Sequence, residues 1–191
     1  MKRLLGVALL LICVDGFAAA PPDVERQIAL AVLAAPQEER AACTVLGYDD
    51  AGKVVTLREG TNGLICLADD PAEPGFSVAC YKKELEPYMR RGRELRAQGK
   101  NSQAVFDTRE KEVKEGTLPM PDRSILYVLT GELNAATGEL EKRYLRYVIY
   151  IPYATPESTG IPLRPTGPGG PWIMNPGTHR AHIMINPPEG E

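Results

Sequence analysis

The stretch PWIMNPGTHRAHIMI, residues 171–185, holds the only tryptophan, both histidines and two of the five methionines of a 191-residue chain. His179 and His182 form an H-x-x-H, a spacing that on a helix presents both imidazoles on one face. Pro176 and Gly177 precede the pair and β-branched residues follow, so a strand is expected instead. Odd spacing on a strand sends the two rings to opposite faces. The even-spaced set is His182 with Met184, while Ala181, Ile183 and Ile185 take the other side. An imidazole beside a thioether is a soft ligand pair that suits copper, and Met174 from the preceding turn, or His179, completes a third ligand. Met174, His182 and Met184 are therefore the candidate metal residues. In the structural alternative Met184 fills a gap in the core, His182 donates to a backbone carbonyl and His179 stands exposed in the loop.

Trp172 follows the flexible run GPGGP, and its ring either closes over the sheet or lines a groove for a ligand. Trp172, His179 and His182 are the candidate ligand-binding residues. His179 or His182 is also the base that a hydrolase of cell-envelope material would use. No nucleophile signature accompanies them: G-x-S-x-G is absent, and GPGG lacks the strand-to-helix context and the lysine of a phosphate-cradling loop. Glu59, Asp69 and Asp70 sit at turn positions, where acidic residues are ordinary, so no residue is assigned a catalytic role. Arg90, Arg91, Arg93 and Arg96 make one basic helix. With Glu84, Glu86, Glu94, Asp107 and Glu110 close in sequence, it reads as a solvated face with internal ion pairs rather than a dock for phosphate or lipid.

The elements that must position these residues follow from periodicity. Asp23 to Ala35 carries Val24, Ile28, Ala31, Val32 and Ala35 at helical spacing, ended by Pro36, which opens a short second helix through QEERAA. CTVLGY, KVVTLRE, LICLAD and FSVACY then read as a β-meander, with DDAG as its first turn and Asn62-Gly63 as a hairpin signal. Lys82 to Lys114 is helical, broken near Gly99. RSILYVLTGE and RYLRYVIYIPY are dense in Ile, Val, Leu and Tyr and read as strands around the loop LNAATGEL. The Pro/Gly-rich run from Ala154 to Gly170 suits no regular element, and AHIMI is the last strand. The expected architecture is a single α+β domain over residues 21–191: an antiparallel sheet of six or seven strands with helices packed on one face.

Residues 1–20 read as a signal peptide, with Lys2 and Arg3 before an apolar run from Leu4 to Val14, and with cleavage favoured after Ala18. That run is shorter than the ~20 residues a spanning helix needs, and no later segment is apolar enough to cross a bilayer. The chain is thus expected to be exported, to the periplasm or beyond. Cleavage takes the net charge from −3 to near −4, a balance that attracts no nucleic acid.

Three cysteines remain: Cys43, Cys66 and Cys80. A hairpin of LICL and FSVAC centred near Glu73 places Cys66 opposite Cys80, within reach of a disulfide, whereas Cys43 with Cys66 would centre inside a strand. Cys66–Cys80 is the expected pair, with Cys43 a buried thiol.

GTNGLICLADDPAEPG with its following cysteine, together with the closing PWIMNPGTHRAHIMI, resembles segments of an uncharacterised family of small secreted bacterial proteins. The resemblance covers the hairpin region and the C-terminal segment. It implies export and a shared fold, and it carries over no site residue. The reading as a whole is a non-catalytic binding domain for a small molecule or envelope component, with its surface made by the loop from Thr155 to Gly170 and the C-terminal segment. It needs no cofactor, unless copper occupies Met174, His182 and Met184.

Overall fold

Alternating apolar residues build one mixed sheet, and helices cover it from two sides. The computed structural model describes residues 22–188; the expected signal segment, residues 1–20, lies outside the described residues. Helix α1 (Val24–Ala31) is capped by Asp23, whose side chain accepts from the Arg26 amide at 2.8 Å. A 3-10 turn (Val32–Ala34) and a 3-10 segment (Gln37–Ala42) lead into β1 (Thr44–Tyr48). Then follow β2 (Val54–Arg58), β3 (Leu64–Leu67) and β4 (Phe76–Lys82), helices α2 (Glu86–Ala97) and α3 (Ser102–Lys114), and the long strands β5 (Ser124–Leu133) and β6 (Leu140–Tyr150). One helical turn, α4 (Pro156–Thr159), precedes β7 (Trp172–Met174) and β8 (His182–Ile185).

The strands lie in the order β2-β1-β3-β4-β5-β6-β8-β7. The α+β class is as expected, with eight strands rather than six or seven. The added strand is β7: PWIM pairs with HIMI instead of serving as its approach. The meander is corrected at one step. β1 and β2 form the expected hairpin, but β3 pairs with β1 in parallel, Thr44 opposite Ile65 and Leu46 opposite Leu67. Asn62-Gly63 therefore closes no hairpin. The chain crosses the start of β1, and the Asn62 side chain anchors the crossing: its amide donates to the Glu39 carbonyl at 3.0 Å and its oxygen accepts from the Leu64 amide at 3.0 Å.

The two sheet faces have separate cores. Val45, Leu64, Cys66, Val78, Cys80 and Leu129 pack with Leu30, Ala31 and Ala34 of the N-terminal helical segment. The alternate residues Ile65, Tyr81, Leu126, Val148, Tyr150 and Met184 pack with Leu85, Tyr88 and Met89. Helices thus lie on both faces, not one, because LICL and FSVACYK are apolar at consecutive positions and present a surface to each side. Cys66 and Cys80 are disulfide-bonded as expected, directly opposed with Cα atoms 4.0 Å apart. Cys43 is a buried free thiol, pushed above the usual cysteine range by that burial. The Pro/Gly-rich run is not wholly irregular. Thr155 and Ser158 form a capping box around α4, and Gly160 ends it in the left-handed region, φ 71°. Beyond it the run lies along β7, where the Pro162 carbonyl accepts from the Ile173 amide at 2.9 Å.

Candidate functional site

The four side chains singled out on β7 and β8 share one face. Met174 is opposite His182 and Trp172 is opposite Met184, and residues two apart on a strand point the same way. They form a two-by-two patch of imidazole, two thioethers and indole, placed toward the core that α2 closes. His182 is 4 % exposed, and its Nδ1 donates to the Arg180 carbonyl at 2.6 Å. That acceptor fixes the hydrogen on Nδ1 and leaves Nε2 as the ring's acceptor. Burial holds the ring below the ordinary histidine range, so it is neutral at pH 7. Among the described residues no group of three or more His, Cys, Asp or Glu could hold a metal; any metal here would rest on the thioethers.

His179 stands elsewhere, and not exposed. It is 0 % exposed, inserted from the β7–β8 turn beneath α2 and α3. Its ring lies 4.7 Å from Phe106 and 5.6 Å from Tyr88, centroid to centroid. Its backbone amide donates to Glu110 Oε2 at 2.8 Å, and its Nδ1 is hydrogen-bonded to the same oxygen. Nε2 is buried with no partner. Burial lowers the His179 pKa, and the Glu110 carboxylate opposes this without overcoming it.

Tyr88, from the first turns of α2, joins these two regions. Its ring packs edge-on against Tyr150 of β6 at 5.8 Å, and Tyr150 in turn lies 5.4 Å from His182. The register extends the row across the sheet, Ser124 opposite Tyr150 and Tyr150 opposite His182. Above it, the Arg109 guanidinium of α3 stacks over the Tyr88 ring at 4.1 Å and Nη1 donates to the Tyr88 carbonyl at 3.3 Å. Arg109 is 7 % exposed, and burial pushes its pKa down. Arg180 lies near enough to the Tyr150 hydroxyl to favour its ionised form, although burial dominates and raises that pKa.

Seven buried side-chain polar atoms lack a hydrogen-bond partner among the described residues, and five belong to this face: Tyr88 Oη, Arg109 Nε, Ser124 Oγ, Trp172 Nε1 and His179 Nε2. Buried polar groups are ordinarily satisfied, so their concentration at one place marks it. Two surface depressions lie elsewhere. One of about 430 Å³ is lined by Gly75, Phe76, Gly131, Glu132 and Leu133 and brings together no group with evident chemistry.

Sequence reasoning grouped Met174, His182 and Met184, which the structure keeps together, and Trp172 with His179 and His182, of which His179 is set apart; it missed Tyr88, Arg109, Glu110, Ser124 and Tyr150. One signal was present. Val105, Arg109 and Val113 recur every four residues, so a cation interrupts the apolar stripe of α3. The basic helix behaves largely as expected: Arg91 pairs with Glu112 at 2.5 Å, Arg93 with Glu86 at 2.6 Å and Arg90 with Glu94 at 3.8 Å. Comparison with protein-family models, curated proteins and solved structures found no match in any of the three.

Proposed function

We propose that this is an exported, non-catalytic domain that binds a small ligand on the sheet face beneath α2 and α3, bordered by the β7–β8 hairpin. The observation that carries the reading is the concentration there of unpartnered buried polar atoms, with Tyr88 packed between Tyr150, His179 and Arg109. A folded chain does not concentrate such groups without cost, since each buried, unpaired donor or acceptor costs about 1–3 kcal/mol; a ligand that satisfies them recovers that cost. Export is supported by the signal-like segment and by the disulfide, which an oxidising compartment sustains. Among the described residues no helix is long and apolar enough to cross a membrane. Native mass spectrometry of secreted material tests the reading: a retained small molecule, lost in Tyr88→Ala, supports it. A bare polypeptide mass, with no thermal response to a broad metabolite library, overturns it.

Two further readings each have one observation in their favour. The two-by-two patch of His182, Met174, Met184 and Trp172 suits a soft cation such as Cu(I). Cu(I) titration followed by Trp172 fluorescence, with His182→Ala as control, decides it; affinity no better than that of free histidine removes it. The Glu110–His179 pair has the orientation of a carboxylate-held general base. A hydrolase screen with His179→Ala as control decides that one.

A further inference from the structure

The charges of α2 and α3 are unevenly satisfied. Glu112 and Glu94 are taken by Arg91, Glu86 by Arg93, and Glu110 by Lys114 at 2.6 Å together with His179. On these two helices Arg96 and Arg109 are left over, and Arg180 of the β7–β8 turn stands near them. Among the described residues no carboxylate lies within ion-pair distance of Arg96, Arg109 or Arg180.

These three are not scattered. A Cβ on Gly92, built in place, would stand 3.0 Å from Arg109 Nη1 and 3.6 Å from Arg96 Nη1, so both guanidiniums converge over that glycine. Arg180 follows His179, whose ring packs 5.6 Å from Tyr88, so it enters from the same turn, and its charge favours the ionised form of the Tyr150 hydroxyl. Arg109 is the decisive member, being buried, with Nε unpartnered, the Tyr88 ring and carbonyl as its direct contacts, and the Glu112 carboxylate acting on it only from beyond ion-pair distance. A buried cation without a directly paired counter-ion is disfavoured. Arg180, half-buried, and Arg96, at the exposed rim, add like charge beside it, which an anion bound there would offset.

We propose that Arg109, Arg96 and Arg180, arranged around Tyr88 and Tyr150, form the receptor for an oxyanion, a phosphate or a carboxylate carried by a small ligand. The proposal rests on the reading of this face as a ligand site and names the chemistry it accepts. Planar guanidiniums offer paired donors matched to two oxygens of such a group, and at the buried Arg109 water competes poorly. The Tyr88 hydroxyl, buried and unpartnered, supplies a further donor. His179 adds specificity. With the Nδ1 hydrogen directed at Glu110, its unpartnered Nε2 is an acceptor, suited to a hydroxyl on the ligand beside the oxyanion.

The test uses the full exported chain in thermal unfolding and titration calorimetry, with inorganic phosphate, citrate and acetate as probes and sodium chloride at matched ionic strength as reference. A saturable rise in melting temperature with phosphate or a carboxylate is expected, and which of them gives it identifies the oxyanion. Arg96→Gln and Arg180→Gln should each weaken binding about tenfold, the value of one charge-assisted hydrogen bond. Arg109→Met gives the readout that a merely structural arginine would not: the anion response disappears while ligand-free stability is unchanged or higher, because an uncompensated buried charge has gone. The proposal is overturned if no oxyanion acts beyond chloride, or if the response survives in all three variants. Retention of a neutral ligand without any anion response would sink this inference and leave the binding-domain reading standing. Absence of both would remove the two together.

Discussion

Glu110 accepts two hydrogen bonds at a single oxygen from one residue, His179, through the backbone amide and through ring Nδ1. The two residues are 69 apart in sequence, so this contact fastens α3 to the β7–β8 turn and holds the imidazole beneath Tyr88. Glu110→Ala should therefore lower stability by about 2–3 kcal/mol, the loss expected when buried donors lose a charged acceptor. Glu110→Gln, which keeps an acceptor and gives up the charge, should lose less than half of that. Urea denaturation midpoints check both, and an alanine variant within 0.5 kcal/mol of wild type, the usual range of surface changes, would refute the contact's role.

The same region sets the response to acid. Burial lowers the pKa of His179 and of His182 in the folded chain. As pH falls from about 6.5, the ordinary histidine value, the unfolded chain takes up protons that the folded one refuses. Stability contributed by the two neutral rings is therefore complete above that pH and declines below it. For Glu110 burial pushes the pKa up, but hydrogen bonds from Lys114 and His179 outweigh it and hold the carboxyl below the usual range, adding a second loss at lower pH. Urea midpoints from pH 7.5 to 4.5 should fall steadily, and His182→Gln should flatten the upper part of that curve. A midpoint constant between pH 7.5 and 5.5 would contradict the burial of both rings.

Cys66 and Cys80 cross-link neighbouring strands with 14 residues of separation. In the chain-entropy model, closing a loop of that size stabilises by about 3 kcal/mol. Reduction, or the double change Cys66→Ala with Cys80→Ala, should lower the urea midpoint correspondingly. Cys43, fully buried, should resist alkylation until the chain unfolds. Mass mapping that joins Cys43 to either partner would be incompatible with the β3–β4 register.

The legible parts of this molecule are those where local pattern and final pairing agree. Period-two alternation in HIMI put His182 and Met184 on one face, and the same logic set Cys66 against Cys80. Asn62-Gly63 shows the failure. Its hairpin preference is local, whereas β3 gains more by lying between β1 and β4, where Leu64 and Cys66 become fully buried. The polar cluster failed for a different reason. Tyr88, Arg109, Tyr150 and His179 come from two helices, a central strand and a turn, and no periodicity within any one segment signals that they meet. The interrupted stripe of α3 was the one local trace, and it reads equally as an ordinary solvated charge until the packing is known.

Gly60 is where that misread crossing becomes testable. To carry β3 to the far side of β1, the chain passes so close to the start of β1 that a Cβ on Gly60 would collide with the backbone of Ala42, Cys43 and Thr44. The neighbouring amides of Thr61 and Asn62 both donate to the Ala42 carbonyl, at 2.8 and 3.1 Å, which leaves the crossing little freedom to move outward. Overpacking against backbone is relieved only by shifting a strand, and costs about 1–3 kcal/mol or more. Gly60→Ala should thus destabilise severely, whereas Gly63→Ala, with nothing within 4 Å of its added methyl, should be close to neutral. A simple hairpin at Asn62-Gly63 predicts the reverse order, since its turn would need the glycine at 63 and would leave 60 unconstrained. Thermal unfolding of the two variants side by side separates the topologies.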